Sequence, residues 1–173
     1  MAALSHGNVA FGMLDHVTLG LVGAALAHAT HAELIPDLLH VHPGAIRAAL
    51  RAIPGLYCVS DATAATGMPD GAYQLGSQRV HKCLGGVRLA DGTLAGSTLT
   101  LDLALRNLVG LGLPLAEAAR RVATHAADHL GLADRGRLEP GAWADVVALD
   151  AGLQVQQVWV EGEAILHGRL PGP

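Results

Sequence analysis

The fold class is decided by the stretch Pro43-Gly-Ala-Ile-Arg-Ala-Ala-Leu-Arg-Ala-Ile-Pro-Gly-Leu-Tyr-Cys-Val-Ser-Asp61. Its apolar residues first recur at helical spacing, and a proline is well tolerated in the first helical turn. Pro54-Gly55 ends this helix, and residues 56–60 form a short apolar run typical of a buried strand. A mixed apolar segment over residues 32–41 precedes the helix. The order strand, helix, strand predicts a parallel α/β unit.

Asp61 follows this strand directly, at its carboxyl end. Barrels and doubly wound sheets place their catalytic groups at that end, because the loops converge there over the sheet. An aspartate after an apolar strand is also a common helix cap or turn residue. From the residues alone, both interpretations of Asp61 stay open.

The segments around this unit differ in character. Residues 1–20 predict a strand remnant followed by a loop, and the glycine-rich residues 66–96 predict hairpins and loops. Residues 99–109 have β-branched side chains only at Thr100 and Val109 and favour a helix, for which Ser97 is the predicted N-cap rather than a nucleophile. Residues 114–130 predict the clearest helix of the chain.

The last part of the chain predicts a β-layer. Residues 144–149 and 155–160 have the pattern of strands, and Glu161-Gly162 turns the chain into a further strand at residues 163–166. We therefore expect a small β-layer at this end, followed by a frayed tail at residues 168–173.

Composition excludes several classes of protein. The net charge is −4, and the eleven Lys and Arg residues are scattered, so no basic face is expected to bind nucleic acid. Cys58 and Cys83 are the only cysteines and suggest no disulfide framework, which favours a reduced, cytoplasmic setting. Neither an export signal nor a membrane-spanning run is recognisable, so we expect no membrane partner.

Five stretches carry a family resemblance. Four are similar to the C-terminal part of N-acetylglucosamine-6-phosphate deacetylases, and the fifth is similar to the tail of amidohydrolases in general. In chain order they are Gly20-Leu-Val-Gly-Ala-Ala-Leu26; Glu33-Leu-Ile-Pro-Asp-Leu-Leu-His-Val-His-Pro43; Val59-Ser-Asp-Ala-Thr63 with Gly71-Ala-Tyr-Gln-Leu-Gly76; Asp91-Gly-Thr-Leu-Ala-Gly-Ser-Thr-Leu-Thr100; and Gly136-Arg-Leu-Glu-Pro-Gly-Ala-Trp-Ala-Asp-Val-Val-Ala-Leu-Asp150.

The resemblance implies an α/β fold, namely a partial (β/α)8 TIM-like barrel with a small C-terminal β-sandwich portion. We expect residues 1–134 to form the partial barrel, with its last three strands, and residues 135–173 to form the C-terminal β-layer. A complete barrel takes about 250 residues, more than this chain holds. Members of the family depend on a divalent metal, for which zinc is the expected ion.

The resemblance also assigns site residues. Asp61 is the expected catalytic residue, which activates the attacking water and passes its proton to the departing amine. His6 is the expected metal ligand, at the start of a stretch that otherwise departs from the family pattern. The residues expected to bind substrate are His40, Asp37, Leu94, Ala95, Gly96 and Ala10.

Three departures from the family bear on these expectations. Leu38 stands where the family favours glycine, and the loop is expected to distort if backbone approach to the ligand needs that glycine. Val17 replaces a basic residue that reaches the substrate phosphate across a dimer interface. The family's other metal ligands, a glutamate and a histidine on earlier strands, are not expected in this chain. His125 and His129 share a helix face at i, i+4 and are considered as a pair of metal ligands. Exposed positions on a helix explain the same spacing equally well.

Three functions therefore remain open. The leading one is a truncated deacetylase of the type that releases acetate from N-acetylglucosamine 6-phosphate in amino-sugar catabolism, and whether it is active by itself stays open. The second is a non-catalytic partial barrel that forms a homodimer or joins a separate N-terminal half, since open strand edges favour association. The third is an amidohydrolase acting on another amide.

Overall fold

The computed structural model describes residues 2–3 and 20–167, with side chains for residues 20–165. Its helices are α1 (Gly20–His28), α2 (Pro43–Ala52), α3 (Leu101–Gly110), α4 (Leu115–Val122) and α5 (Thr124–His129). Its strands are β1 (Ala2–Ala3), β2 (His31–Leu34), β3 (Gly55–Cys58), β4 (Gly71–Leu75), β5 (Gln78–Cys83), β6 (Gly86–Arg88), β7 (Leu94–Ser97), β8 (Val146–Leu149), β9 (Val155–Val160) and β10 (Glu163–His167). The predictions for His6, Ala10 and Val17 lie outside the described residues.

The predicted parallel α/β unit is confirmed. Strands β1, β2 and β3 form a parallel sheet in that order, with Ala32 opposite Leu56 and Leu34 opposite Cys58. Helix α2 connects β2 to β3. The loops that follow β2 and β3 therefore both leave the sheet on the side where the carboxyl ends of its strands lie. The chain is an α/β protein, and the extension of this sheet to a barrel stays a prediction.

Helix α2 forms for the reasons that its sequence suggests. Pro43 occupies the first turn, and His42 caps the helix by accepting a hydrogen bond from the Gly44 amide at its Nδ1. One face is buried, with Ile46 and Ala49 facing inward. After the helix, Gly55 begins β3 where any Cβ would lie 2.6 Å from the Thr30 carbonyl oxygen and closer still to the His31 ring. Only glycine fits there, so this residue lets β3 approach β2.

The main core lies between the parallel sheet and the helices. Its buried side chains come from β2, α2 and its C-cap, β3, α3 and α4: Ala32, Leu34, Ile46, Ala49, Ile53, Leu56, Cys58, Leu105, Leu108 and Ala118. Leu149 of β8 and Leu153 of the turn that follows it pack against this core, and Arg106 donates a hydrogen bond to the Leu153 carbonyl at 2.9 Å. These contacts connect the C-terminal layer to the rest of the chain. The domain division at residue 134 stays a prediction.

The glycine-rich region forms an antiparallel meander of four strands, β4 to β7 in order, which confirms the predicted hairpins. A parallel bridge joins Ala62, just after β3, to Ser97 at the end of β7. The meander is thereby attached beside the carboxyl end of β3. The prediction that Ser97 caps the next helix is wrong, because β7 includes Ser97 and the N-cap of α3 is Thr100.

The predicted helix over residues 114–130 is wrong as one element. It is divided into α4 and α5 at Ala123, whose φ of −137° and ψ of −72° leave the helical region. The change of direction lets Thr124 donate a hydrogen bond to the Gly136 carbonyl and leaves Arg121 buried at the end of α4. Apolar periodicity continues across the break, so the sequence pattern did not reveal it.

The predicted C-terminal β-layer is confirmed as an antiparallel meander of β8, β9 and β10. The helix over residues 99–109 is confirmed as α3, beginning two residues later than the apolar run. Within the described part of the chain, no helix is long and apolar enough to cross a membrane.

Candidate functional site

Asp61 lies where the sequence predicts it, in the loop that leaves the carboxyl end of β3. The Val59 amide still donates to the Leu34 carbonyl at 2.9 Å, so sheet pairing continues to within two residues of Asp61. Asp61 itself has a φ of +50°, which is uncommon for a residue with a side chain. Its carbonyl accepts a hydrogen bond from the Ser97 amide at 2.9 Å, and the Thr63 amide donates to the Ser97 carbonyl at 3.1 Å. Strand β7 thus holds the strained turn in place.

Gly96 allows this close approach of β7 to the Asp61 loop. Its φ is +144°, and a Cβ at this position would lie 2.6 Å from the Thr63 methyl carbon and 3.9 Å from Asp61 Oδ2. A side chain at residue 96 would therefore collide with the loop that carries Asp61. The predicted substrate-binding segment, Leu94 to Gly96, is β7 itself and lies beside the predicted catalytic residue.

A buried carboxylate, Asp37, organises the loop after β2. Oδ1 accepts hydrogen bonds from the backbone amides of Leu39 at 3.0 Å and His40 at 2.8 Å. Oδ2 accepts from the His40 ring at Nδ1, 2.7 Å away, and from the Ser97 hydroxyl at 2.8 Å. The Asp37 side chain is only 4 % exposed. Asp37 therefore joins the β2 loop, His40 and the end of β7.

The charges of these groups support one another. Burial alone would raise the pKa of Asp37, but the hydrogen bonds from His40, Leu39 and Ser97 outweigh it and lower that pKa to about 2. The hydrogen bond to Asp37 raises the pKa of His40, burial opposes that rise, and the negative charges of Asp37 and Asp61 add to it, while Arg88 acts against it. His40 therefore lies within electrostatic reach of the predicted catalytic carboxylate.

Leu38 keeps the loop in a conformation that glycine would adopt without strain. Its φ is +66°, in the left-handed region, and the hydrogen bonds of Asp37 to the next two amides are formed. A leucine is disfavoured in this region by about 1–2 kcal/mol. The departure from the family pattern thus leaves a strained residue in a loop whose internal hydrogen bonds are intact.

The histidines weighed as additional metal ligands are placed elsewhere. The ring of His129 lies 5.1 Å from that of His31 and 5.4 Å from that of Tyr57, measured between centroids. Among the described residues, the buried Nδ1 of His125 has no hydrogen-bond partner, and burial lowers the pKa of this histidine. These rings lie near the first residues of β2 and β3. Asp61 and His40 lie beyond the last residues of the same strands, at the opposite end of the sheet.

The described residues do not fit a zinc site by themselves. No cluster of three or more His, Cys, Asp or Glu side chains able to hold a metal ion occurs among residues 20–165. A catalytic zinc normally has three protein ligands. The metal implied by the family resemblance stays a prediction, as does the role of His6, and no chemical step is derived through it.

Two residues at this site were not among the predicted site residues. Ser97 was assigned to the helix that follows, and its burial and its bond to Asp37 depend on a partner 60 positions away. Arg88 is close enough to His40 to affect its pKa, but it belongs to a glycine-rich hairpin with no distinctive pattern. The motif at residues 91–100 includes Ser97 and could have drawn attention to it, whereas no quoted motif includes Arg88.

The arrangement places His40 and the predicted catalytic carboxylate of Asp61 beyond the carboxyl ends of parallel strands, the position that α/β enzymes use for their active sites. No protein-family model matches the chain. A putative N-acetylgalactosamine-6-phosphate deacetylase of Escherichia coli strain K12 is 46 % identical over 154 residues, which cover 87 % of this chain and 92 % of that relative. The chain belongs to the N-acetylglucosamine-6-phosphate deacetylase family, which confirms the resemblance.

Two further comparisons agree with this assignment. N-acetylglucosamine-6-phosphate deacetylase of Lysinibacillus sphaericus is 40 % identical over 146 residues, which cover 82 % of this chain and 38 % of the relative. The crystal structure of N-acetylglucosamine-6-phosphate deacetylase from Thermotoga maritima matches with a TM-score of 0.88 at 33 % identity, over 96 % of this chain and 47 % of that one. The chain thus spans less than half the length of both proteins.

Proposed function

We propose that this chain is the part of an N-acetylglucosamine-6-phosphate deacetylase that supplies the proton-transferring carboxylate, and that the complete site hydrolyses the acetamide of the amino-sugar phosphate. The observation that carries the proposal is the convergence of Asp61, His40 and Gly96 at one edge of the parallel sheet, in a chain of this family. The relatives named above supply the substrate class.

The chemistry asks little of each residue. Asp61 accepts a proton from the water that attacks the acetyl carbonyl carbon, and it returns that proton to the amine as the carbon–nitrogen bond breaks. Acetate and an amino-sugar phosphate are the products. His40 contacts the sugar, and the backbone of residues 94–96 lies along it. The backbone hydrogen bonds to Ser97 hold the loop that carries this carboxylate against β7.

The wider setting follows the same reasoning. We propose that β1, β2 and β3 are the last strands of a partial barrel and that β8 to β10 are part of a β-sandwich. The remaining surfaces would be covered by a second copy of the chain or by a separate N-terminal half, since unpaired strand edges favour association. Both cysteines, Cys58 and Cys83, are free thiols, which supports a cytoplasmic location.

The test is acetate release by the 173-residue chain and by a hybrid in which residues 20–173 replace the matching region of the Lysinibacillus sphaericus relative. The N-acetyl derivatives of glucosamine 6-phosphate and galactosamine 6-phosphate are compared as substrates, because the relatives differ in this name. Metal content is measured on the same samples. The hybrid is expected to release acetate, and Asp61→Asn is expected to abolish the release.

Asp91→Asn is the matched control, since Asp91 is an exposed carboxylate whose Oδ1 accepts from the Thr93 amide, a bond that asparagine keeps. It should leave turnover unchanged. A folded hybrid that releases no acetate from either sugar, or one whose turnover survives Asp61→Asn, would overturn the proposal. Turnover by the 173-residue chain alone would show that the chain assembles a complete site.

A further inference from the structure

We propose that Asp37 is a positioning residue for His40 and not a contact for the substrate, and that it fixes His40 in the tautomer with the proton on Nδ1 so that Nε2 is presented to the site. The proposal rests on the proposed function in one respect, namely that His40 contacts the sugar. The state of the His40 ring can be measured without any turnover.

The carboxylate of Asp37 is fully used by the protein. An ionised carboxylate offers about four acceptor positions. Those of Asp37 are taken by two backbone amides, one ring nitrogen and one hydroxyl, at 2.7 to 3.0 Å. With only 4 % of the side chain exposed, no acceptor remains for a sugar hydroxyl. This replaces the expectation that Asp37 binds substrate.

The same contacts determine where the His40 proton lies. Because its pKa is about 2, Asp37 is ionised at neutral pH and has no proton to donate. The 2.7 Å contact between Oδ2 and Nδ1 therefore requires that Nδ1 carry the hydrogen. Neutral His40 then has a bare Nε2, and protonated His40 has a second N–H there. The charged groups that act on this ring are Asp37, Asp61 and Arg88.

Ser97 prevents Asp37 from turning away from the ring. Its side chain is completely buried, its hydroxyl donates to Oδ2, and its oxygen accepts from the Leu99 amide at 3.1 Å. Its backbone amide bonds to the Asp61 carbonyl. Ser97 therefore fixes both the Asp37 carboxylate and the loop of the predicted catalytic residue. The position of His40 relative to Asp61 is fixed as a result.

The decisive variant is Asp37→Asn, which preserves the shape of the side chain. Two backbone amides require the asparagine carbonyl oxygen at the Oδ1 position, since an amide NH₂ there would face two N–H donors. The NH₂ group must then point at His40, and Nδ1 must become an acceptor. We expect the His40 proton to move to Nε2 and the pKa of His40 to fall, because the negative charge is lost.

The measurement is nitrogen-15 NMR of the histidine rings in the 173-residue chain, above the pKa of His40. Spectra of His40→Gln assign the signals. The chain should show the proton on Nδ1, Asp37→Asn should show it on Nε2, and Asp91→Asn should match the unchanged chain. Ser97→Ala should keep the proton on Nδ1, because Asp37 is still an acceptor, and Thr98→Ala is its neighbouring control, whose hydroxyl bonds to the Gly85 carbonyl instead.

A proton on Nε2 in the unchanged chain would overturn the proposal, and this outcome does not depend on whether any variant folds. A folded Asp37→Asn variant that keeps the proton on Nδ1 would overturn it as well. If the tautomers change as expected while the hybrid enzyme releases no acetate, the proposed function fails and the positioning role of Asp37 stands. If the hybrid releases acetate while His40 has its proton on Nε2, the positioning role of Asp37 fails and the proposed function stands.

Discussion

Two buried charged side chains organise opposite ends of β3. Near its start, Arg121 donates through Nη1 to the carbonyls of Pro54 at 2.7 Å and Leu56 at 2.9 Å, and it pairs with Glu117 at 2.7 Å. Beyond its carboxyl end, Asp37 accepts four hydrogen bonds from three other residues. Each charge is satisfied by the protein, as a buried charge must be.

The two networks differ in where they end. Arg121 connects only groups that hold the fold together, namely backbone carbonyls and a neighbouring glutamate. The Asp37 network ends at His40, whose Nε2 has no partner among the described residues with side chains, 20–165. Burial of a charge therefore does not identify a functional site by itself. What distinguishes the Asp37 network is a polar atom, His40 Nε2, that it orients and leaves without a partner among the described residues.

The largest effect is expected for Arg121→Met. The substitution removes a donor from three carbonyls, of which only that of Ile53 also accepts from a backbone amide outside the sheet, and breaking a buried charged network costs about 3 kcal/mol or more. Urea unfolding of the purified chain measures the loss. Arg120→Met is the matched control, because Arg120 also pairs with Glu117 but is 54 % exposed, and it should cost about 0–1 kcal/mol. Equal losses of stability for Arg121→Met and Arg120→Met would contradict the structural role that the comparison assigns to Arg121.

The next effect is expected for Gly96→Ala, at the functional end. The new Cβ would lie 2.6 Å from the Thr63 methyl carbon, at a φ of +144°, so we expect a loss of about 2–3 kcal/mol. Gly92→Ala in the same hairpin separates the two causes, because its φ is +87° and a Cβ there meets nothing within 4 Å.

Thr63→Ser removes the methyl group and keeps the hydroxyl that accepts from the Ala65 amide. In the Gly96→Ala background it should recover the part of the loss due to the collision, measured by the same unfolding experiment. If Gly92→Ala costs as much as Gly96→Ala and Thr63→Ser recovers nothing, close packing of β7 on the Asp61 loop is refuted.

The pH dependence of stability separates Asp37 from Arg121. The pKa of Asp37 falls from 3.8 to about 2 on folding, so its contribution, about 2 kcal/mol, is complete above pH 3.8 and is lost as the pH falls toward 2. The pKa of His40 is raised above 6.5, so its contribution is complete below 6.5 and is lost as the pH rises through the folded value.

The stability difference between the unchanged chain and Asp37→Asn should therefore be greatest between about pH 4 and 6.5 and should decrease on both sides. Thermal unfolding across this range measures it. The difference between the unchanged chain and Arg121→Met should lack the decrease above pH 6.5, since no histidine pairing is lost there. A flat profile for Asp37→Asn would contradict the coupling of the carboxylate to His40.

The sequence predicted local elements better than it predicted contacts. Helix α2, strand β3 and the position of Asp61 follow from apolar periodicity and from Pro54-Gly55, which act within a few residues. The break at Ala123 was missed because the apolar spacing of α4 and α5 hides it. This break places Arg121 where it donates hydrogen bonds to three carbonyls distant in sequence. No local sequence pattern predicts these contacts.

The candidate site depended more on the family resemblance than on local sequence patterns. Asp61 and His40 were selected through family motifs, whereas spacing alone left Asp61 open between a cap and a catalytic residue. Ser97 was misassigned, since its hydroxyl bonds to a residue 60 positions away and a serine before an apolar helix suggests a cap. Contacts of this separation are set by tertiary packing, which single-sequence patterns do not contain.

The smallest effect concerns Leu38, beside Asp37. Its φ of +66° is unfavourable for leucine by about 1–2 kcal/mol, while glycine gains about 0.5–1 kcal/mol of backbone entropy in the unfolded chain, so Leu38→Gly should stabilise the protein by about 0.5 kcal/mol. Leu39→Gly is the control, because Leu39 is similarly exposed but has no positive φ, and it should destabilise by about 1 kcal/mol. If both substitutions destabilise equally, Leu38 is not strained. The loop that carries the Asp37 network would then be less constrained than the part of α4 that carries Arg121.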